Sequence, residues 1–176
     1  MHVIETGKIR VFTFKEGFLS AVAHDLCLEL RRFRVQIDGA RLLATFWPST
    51  LVVVGVMQEG RCDEGELGEQ QKREIVENIR SKVLKVDDYP EASLEAALSA
   101  RQGGVTLTGQ LSLVGLRQAI VVDARIAEGS VCGQVELEPS RWSIAPFRAL
   151  LGAIRLQDRV LVRFELAPPA GVLAAL

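Results

Sequence analysis

The sequence predicts a mostly β, antiparallel domain with one amphipathic helix, and three observations support this prediction. Short segments in which apolar and polar residues alternate recur along the chain, and such alternation is typical of half-buried strands. Turn signals that contain Gly or Asp separate these segments. One longer segment instead repeats its apolar residues at helical spacing. About eight strands in 176 residues indicate one domain, either an antiparallel sandwich or a closed barrel.

The first predicted strands lie before the helix. In KIRVFTF, Ile9 and Val11 fall on one face, whereas Arg10, Phe12 and Phe14 fall on the other. The apolar phase then shifts between LCLEL and FRVQI, which predicts a bulge or bend between two half-strands. ARLLATFW carries apolar residues on both faces, as expected for a strand covered on both sides.

The helix is predicted over residues 66–84, where apolar residues recur four apart at Ile75, Ile79 and Val83. It ends before Pro90, because the residue preceding a proline is disfavoured in helical conformation. A second, shorter helical turn is predicted in APFRALLG, with Pro near its start and Gly near its end.

The later strands are SLEAALSA, GVTLTGQLSLVG, AIVVDARI, VCGQVELE and RVLVRFEL. The second of these shows the alternation most clearly, with Val105, Leu107, Leu111 and Leu113 on one face and Thr, Gln and Ser residues on the other. This apolar face could contact a second sheet, a helix or a cavity.

Composition excludes several function classes. The net charge of -1 gives no bulk attraction to nucleic acid or to an anionic membrane. No secretory signal and no apolar run of about 20 residues is visible. The three cysteines are odd in number and widely spaced, which favours reduced thiols in a cytoplasmic protein. With two histidines, we expect no metal site, and no cofactor motif is present.

Four phrases in order carry a resemblance to a known family. They are AHDL, SKVLKVDDYPEASLEA, LTGQLSLVGLRQAI and RWSIAPFRALLGAIRLQDRVLVRFEL. Together they resemble the YceI-like family of lipocalin-like, polyisoprenoid-binding domains over about residues 9–166. Two departures from the family pattern are Ala23, where the family has Gly, and Val114, where the family has His.

The resemblance implies a lipocalin-like, eight-stranded antiparallel β-barrel, with the helix packed against it and an apolar tunnel inside. The domain would span residues 1–167 and leave a tail at residues 168–176. The family's frequent pairing of barrels implies a possible homodimer.

Apolar residues at alternating strand positions are the first candidates for the tunnel wall, although each could equally fill a core. They are Leu26, Leu28, Leu107, Leu111, Leu113, Val122, Val135 and Leu137.

Aromatic residues near two connections are further candidates for contact with a ligand, the alternative being ordinary packing of strand ends. They are Phe12, Phe14, Phe18, Trp142 and Phe147. His24 could hydrogen-bond a headgroup, with Asp25 fixing its tautomer, but it could also be a structural histidine.

The predicted function is non-enzymatic binding, transport or storage of a long-chain apolar ligand such as a polyisoprenoid, quinone or fatty amphiphile. No G-x-S-x-G phrase surrounds Ser20 or Ser49, which disfavours a hydrolase. The alternative is a barrel that acts as an interaction or stress-response scaffold without a large ligand, since fold alone does not fix function.

Overall fold

The chain folds into a highly curved antiparallel sheet with one helix. A computed structural model describes residues 1–16, 24–149, 154–169 and 171–172. Over this part of the chain there are thirteen strands and one α-helix. The strands are β1 His2–Ile4, β2 Gly7–Lys15, β3 Leu26–Leu30, β4 Phe33–Asp38, β5 Arg41–Phe46, β6 Leu51–Gln58, β7 Arg61–Asp63, β8 Ala92–Arg101, β9 Gly104–Leu113, β10 Leu116–Ala127, β11 Ser130–Leu137, β12 Arg148–Ala149 and β13 Ile154–Leu166.

Every strand pairing is antiparallel, as the sequence predicts. Twelve of the described strands follow the order β1-β4-β5-β8-β9-β10-β11-β13-β2-β3-β6-β7, and β12 pairs with β13. Five of the pairings in this path join strands that neighbour each other along the chain through hairpins or short connections: β4 with β5, β6 with β7, β8 with β9, β9 with β10, and β10 with β11. The N-terminal β2 instead pairs with the C-terminal β13.

The expected closed barrel of eight strands is not what the strand pairings give. Within the described residues the hydrogen-bonded path ends at β1 and β7 and does not return on itself. The physical reason is that two long segments are interrupted. β3 ends at Leu30 and β4 begins at Phe33, and a 3₁₀ turn at Pro48–Thr50 separates β5 from β6.

The two interruptions lie side by side in the sheet. The Arg31 N–H donates to the Thr50 carbonyl at 3.3 Å, and the Trp47 N–H donates to the Arg32 carbonyl at 3.2 Å. The phase shift in the sequence therefore falls where the strand bends, and the flanking Leu30 and Phe33 are both buried.

The helix α1 covers Glu69–Asn78 and continues as a π-helical turn over Ile79–Val83. The Gly68 N–H at its start donates to the Gln71 side chain at 2.9 Å, which satisfies one of the free donors of the first turn. The apolar side chains of its inner face pack against the core of the sheet: Ile75, Val76, Ile79 and Val83.

The predicted helical turn in APFRALLG is wrong where it is described. Arg148–Ala149 form β12, which pairs with Arg155 and Ile154 of β13. Residues 150–152, the rest of that phrase, lie outside the described part of the chain. An apolar-rich segment next to a long strand has extended pairing available, and this pairing prevails over helix propensity here.

Gly109 allows the backbones of β9 and β8 to lie close together. A Cβ atom at this position would lie 2.0 Å from the Glu95 carbonyl oxygen and 2.5 Å from the Ala96 Cα atom. Only glycine permits so close an approach of two backbones. Gly109 lies on the same face of β9 as the buried Leu107 and Leu111.

Candidate functional site

The inner face of the sheet and the helix enclose a cavity of about 500 Å³. Its wall is built from alternate residues of nearly all the long strands, together with side chains of the helix and of the segment after β11. In β2, for example, Ile9, Val11 and Thr13 line the cavity, whereas the residues between them lie on the outer face. The result is an almost wholly apolar chamber.

Most of the residues that the sequence singled out surround this one cavity. Those that line it are His24, Leu26, Leu28, Leu107, Leu111, Leu113, Val122, Val135, Leu137, Trp142 and Phe147. They come from β3, β9, β10 and β11, from His24 two residues before β3 and from the segment after β11. The alternating face of GVTLTGQLSLVG thus contributes three leucines to the wall.

Phe12 and Phe14 do not line the cavity. They alternate with the inward-facing residues of β2 and therefore lie on the outer face of the strand. The Arg159 guanidinium lies 4.3 Å from the centre of the Phe14 ring, and the Arg163 guanidinium lies 5.1 Å from that of Phe12. Phe18 lies outside the described residues.

Sequence reasoning missed much of the wall. The missed residues include Ile9, Val11, Leu42, Ala44, Phe46, Ile75, Ile79, Leu94, Ile120, Ile144, Leu156, Val160 and Val162. A signal was available for two groups of them. The alternation in KIRVFTF separates Ile9 and Val11 from the phenylalanines, and the inner helix face is marked by Ile75 and Ile79.

Four of the polar residues of the wall gather near the C-terminal end of β2. They are Thr13, His24, Gln157 and Arg159. Here the β2–β13 register slips between the pairs Leu156–Lys15 and Val160–Thr13, which marks a bulge that reorients side chains.

Hydrogen bonds fix the surroundings of this polar end. The Gln157 amide donates to the Lys15 carbonyl at 3.0 Å, and the Arg159 Nε atom lies 2.7 Å from Glu136 Oε2. Asp25 Oδ1 accepts the Lys15 N–H at 2.6 Å. The Asp25 carboxylate therefore links the end of β2 to the residues that precede β3. The sequence did not predict this structural role.

The segment after β11 forms part of the wall and is anchored on two sides. Its 3₁₀ turn, Pro139–Trp142, places the fully buried Trp142 against the cavity, and the indole N–H donates to the Leu111 carbonyl at 2.8 Å. Asp158 accepts hydrogen bonds from the Ser140 N–H and hydroxyl. A buried indole needs such an acceptor, so the ring is fixed in place.

The described residues contain neither a metal-binding cluster nor a membrane-spanning helix. No group of three or more His, Cys, Asp or Glu side chains there could hold a metal ion. Likewise, none of the described helices has the length and apolar character needed to cross a membrane.

The sequence profile of the YceI-like domain matches residues 48–167. The chain belongs to the YceI-like family. No curated protein matches this YceI-like protein.

Solved structures of low sequence identity share the fold. A polyisoprenoid-binding domain from Saccharophagus degradans has a TM-score of 0.62 at 9% identity, covering 94% of this chain and 97% of that chain. BcnA from Burkholderia cenocepacia has a TM-score of 0.59 at 15% identity, covering 90% and 94%. The YCEI protein of Campylobacter jejuni has a TM-score of 0.54 at 15% identity, covering 80% and 83%. At such identities the similarity concerns the fold alone.

Proposed function

We propose that this YceI-like protein is a non-enzymatic binding protein that carries or stores one long-chain apolar ligand, such as a polyisoprenoid, quinone or fatty amphiphile. The observation that supports the proposal is the apolar cavity of about 500 Å³, which has the size and character of a small-molecule site. A barrel that served only as a scaffold would need no such space, because protein interiors are normally close-packed. The polyisoprenoid-binding description of the Saccharophagus degradans domain agrees with this ligand class.

The binding energy would come from burial of hydrocarbon. Each methylene group that leaves water gains about 0.8 kcal/mol, and part of this gain offsets the ordering of a flexible chain. Affinity in a series of alkanols should therefore rise about fourfold per added methylene group. The rise should stop when the chain fills the cavity.

The polar end of the cavity would orient the ligand. Thr13, His24 and Gln157 place hydrogen-bonding groups at one end of a largely apolar wall, so we place the headgroup there and the hydrocarbon among the leucines. In this arrangement the residues bind and orient the guest, and none acts as a nucleophile.

We also propose that the sheet acts as an eight-stranded barrel around the guest. In this description β3 with β4 counts as one bent strand, and β5 with β6 counts as another. The hydrogen bonds between the two bends at Arg31 and Trp47 support the continuity of the wall.

The first test is native mass spectrometry of protein purified without detergent, with organic extraction of any bound molecule. We expect one apolar molecule per chain. A purified protein that is free of ligand and also fails to take up added isoprenols or fatty alcohols would contradict the proposal and favour the scaffold function.

A matched pair of variants tests which face binds the guest. Leu111→Arg places a charge in the cavity wall, whereas Gln110→Arg places it on the exposed opposite face of the same strand. We expect Leu111→Arg to abolish uptake of a fluorescent fatty acid and Gln110→Arg to bind like wild type, because a buried unpaired charge is strongly unfavourable.

Circular dichroism provides the folding control for both variants. If Leu111→Arg does not fold, Leu113→Gln at the half-buried end of the same row replaces it, with an expected loss of at least about tenfold in affinity. Undiminished uptake by a folded Leu111→Arg protein would exclude this cavity as the binding site.

A further inference from the structure

The outer face of the sheet carries a groove that the proposed function does not use. It has a volume of about 690 Å³ and crosses β10, β11, β13 and β2 on the side opposite to the cavity. Five cationic side chains line it, against two carboxylates. The cations are Lys8, Arg10, Arg101, Arg125 and Arg163, and the carboxylates belong to Asp123 and Glu165.

Two arginines face each other directly at the centre of this groove. Arg163 of β13 and Arg10 of β2 are register partners in the antiparallel ladder. Side chains in such a pair start only about 5 Å apart, and like charges in this arrangement are destabilising. Neighbouring positions of the same cross-strand row hold Gln134 and Glu29.

The neighbours do not fully neutralise this pair. The Arg163 Nε–H donates to the neutral Gln134 side chain at 3.2 Å. Arg10 forms a long ion pair with Glu29, with 3.7 Å between Arg10 Nε and Glu29 Oε2, and the buried Nε atom has no hydrogen-bond partner in the described structure. Glu29 also has a nearer partner in the Arg31 guanidinium at 3.0 Å.

Each of the two groove carboxylates has a basic neighbour other than Arg10 and Arg163. Asp123 accepts the Thr106 hydroxyl at 2.5 Å and lies 3.6 Å from the Arg101 guanidinium. Glu165 is the register partner of Lys8, and this pair lies two residues along the strands from the Arg163–Arg10 pair. A positively charged position with unused donors therefore remains between Arg10 and Arg163.

We propose that this outer groove binds a phosphate-bearing anion across Arg10 and Arg163, with Lys8 and Arg125 on its flank. A guanidinium presents paired N–H donors that match phosphate oxygens, and charge-assisted contacts of this kind are strong. The phosphate could be free in solution or part of a lipid headgroup. The site is separate from the apolar cavity, because Arg10 alternates with the cavity-lining Ile9 and Val11.

Calorimetric titration with inorganic pyrophosphate at low salt tests the soluble source. We expect Arg163→Gln to weaken binding at least about tenfold. The matched control is Arg117→Gln, which removes an exposed arginine of β10 that pairs with Glu95 at 2.9 Å outside the groove. This control should bind pyrophosphate like wild type.

Cosedimentation with vesicles of phosphatidylglycerol, compared with phosphatidylcholine, tests the lipid source. Binding in either arm that falls in Arg163→Gln and persists in Arg117→Gln supports the groove and identifies the source of the phosphate. No binding in both arms, or an equal loss in the two variants, overturns the proposal.

Thermal unfolding supplies a readout that does not depend on a loss of binding. Without anion, Arg163→Gln should melt at the same temperature as wild type or higher, because it removes a like-charge pair. Pyrophosphate should raise the melting temperature of wild type and of Arg117→Gln but not of Arg163→Gln. Uptake of apolar guests should be equal in all three proteins, so failure of the anion site and failure of the cavity are distinguishable.

Discussion

The Cys27 thiol is an ionisable group buried within the sheet. Its side chain is fully buried, and it is the register partner of Gly55. The missing side chain at Gly55 leaves room for the Cys62 thiol, whose sulfur would lie 3.0 Å from a Cβ atom there. Burial, followed by the hydrogen bond with Cys62, raises the pKa of Cys27 to about 12.

This raised pKa makes stability depend on alkaline pH. Below about pH 8 the thiol is protonated in both the folded and the unfolded protein, so it contributes no pH dependence. Above that pH the unfolded thiol ionises first, and the free energy of unfolding falls as the pH rises towards 12. Between pH 7.5 and 9.5 we expect wild type to lose about 1 kcal/mol more than Cys27→Ala in urea unfolding.

The comparison with Cys27→Ala isolates this thiol from the other groups that titrate at alkaline pH. Equal losses in the two proteins would show that Cys27 ionises as easily in the folded chain as in the unfolded one. Cys132→Ala, at a half-buried position in the outer groove, is the matched control and should behave like wild type.

At the scale of residues, the sequence predicts the strand face on which a side chain lies better than it predicts what that side chain does. Alternation is local, so the leucines of β9 and the valine of β10 could be placed on the apolar face of their strands from the pattern alone. The choice of Phe12 and Phe14 as ligand contacts relied on residue type instead, and it conflicted with the alternation of their own strand. The role of Asp25 depends on Lys15, ten residues earlier, and no local pattern predicts that contact.

At the scale of elements, the hairpin between β9 and β10 carries strain. Leu113 pairs with Leu116, and the two turn residues, Val114 and Gly115, have φ angles of 40° and 78°. Two positive φ angles define the turn type that favours Asn-Gly. A β-branched residue is poorly suited to the first position, which is also one of the two departures from the family pattern.

We expect Val114→Asn to raise the free energy of unfolding by about 1 kcal/mol, because asparagine adopts positive φ more readily. Glu128→Asn is the matched control in the next hairpin, where Glu128 and Gly129 have φ angles of 50° and 80°. Because Glu128 is not β-branched, its gain should be smaller. Urea unfolding measures both values, and a destabilised Val114→Asn would mean that the apolar contacts of Val114 with the core outweigh the strain.

The elements themselves were predictable to different degrees. The helix and the long hairpin strands carry strong periodic patterns, and the sequence places them within a few residues. The split of one strand into β3 and β4 was visible as a phase shift at Arg31 and Arg32. The order of the strands in the sheet was not predictable, because the pairing of β2 with β13 joins segments that are far apart in the chain.

At the scale of the whole molecule, ligand binding in the cavity, as proposed, would couple stability to ligand concentration. A guest that binds only the folded chain stabilises it by about 2.7 kcal/mol at 100 times its Kd. For a protein of this size that corresponds to a rise of about 5–10 °C in Tm. We therefore expect organic extraction to lower Tm and added long-chain alcohol to restore it in differential scanning calorimetry.

The Gln110→Arg protein should show the same rise in Tm as wild type, since its new charge lies outside the cavity. A second reporter is the fluorescence of Trp142, one of two tryptophans in the chain. In a Trp47→Phe variant, in which Trp142 is the single tryptophan, a bound guest should shift the emission of Trp142. A saturating guest that alters neither Tm nor emission would contradict binding in this chamber.

The pairing of β2 with β13 also sets an order of events in time. Gly7 pairs with Leu166, and Thr13 pairs with Val160, so two neighbouring strands of the cavity wall lie far apart in the sequence. A ribosome that has not yet released the last strand holds a protein whose chamber lacks one wall. Contacts of such high sequence separation also form slowly. The proposed guest could therefore enter only after β13 has been synthesised, and until then a nascent chain exposes its leucines to water or to a chaperone.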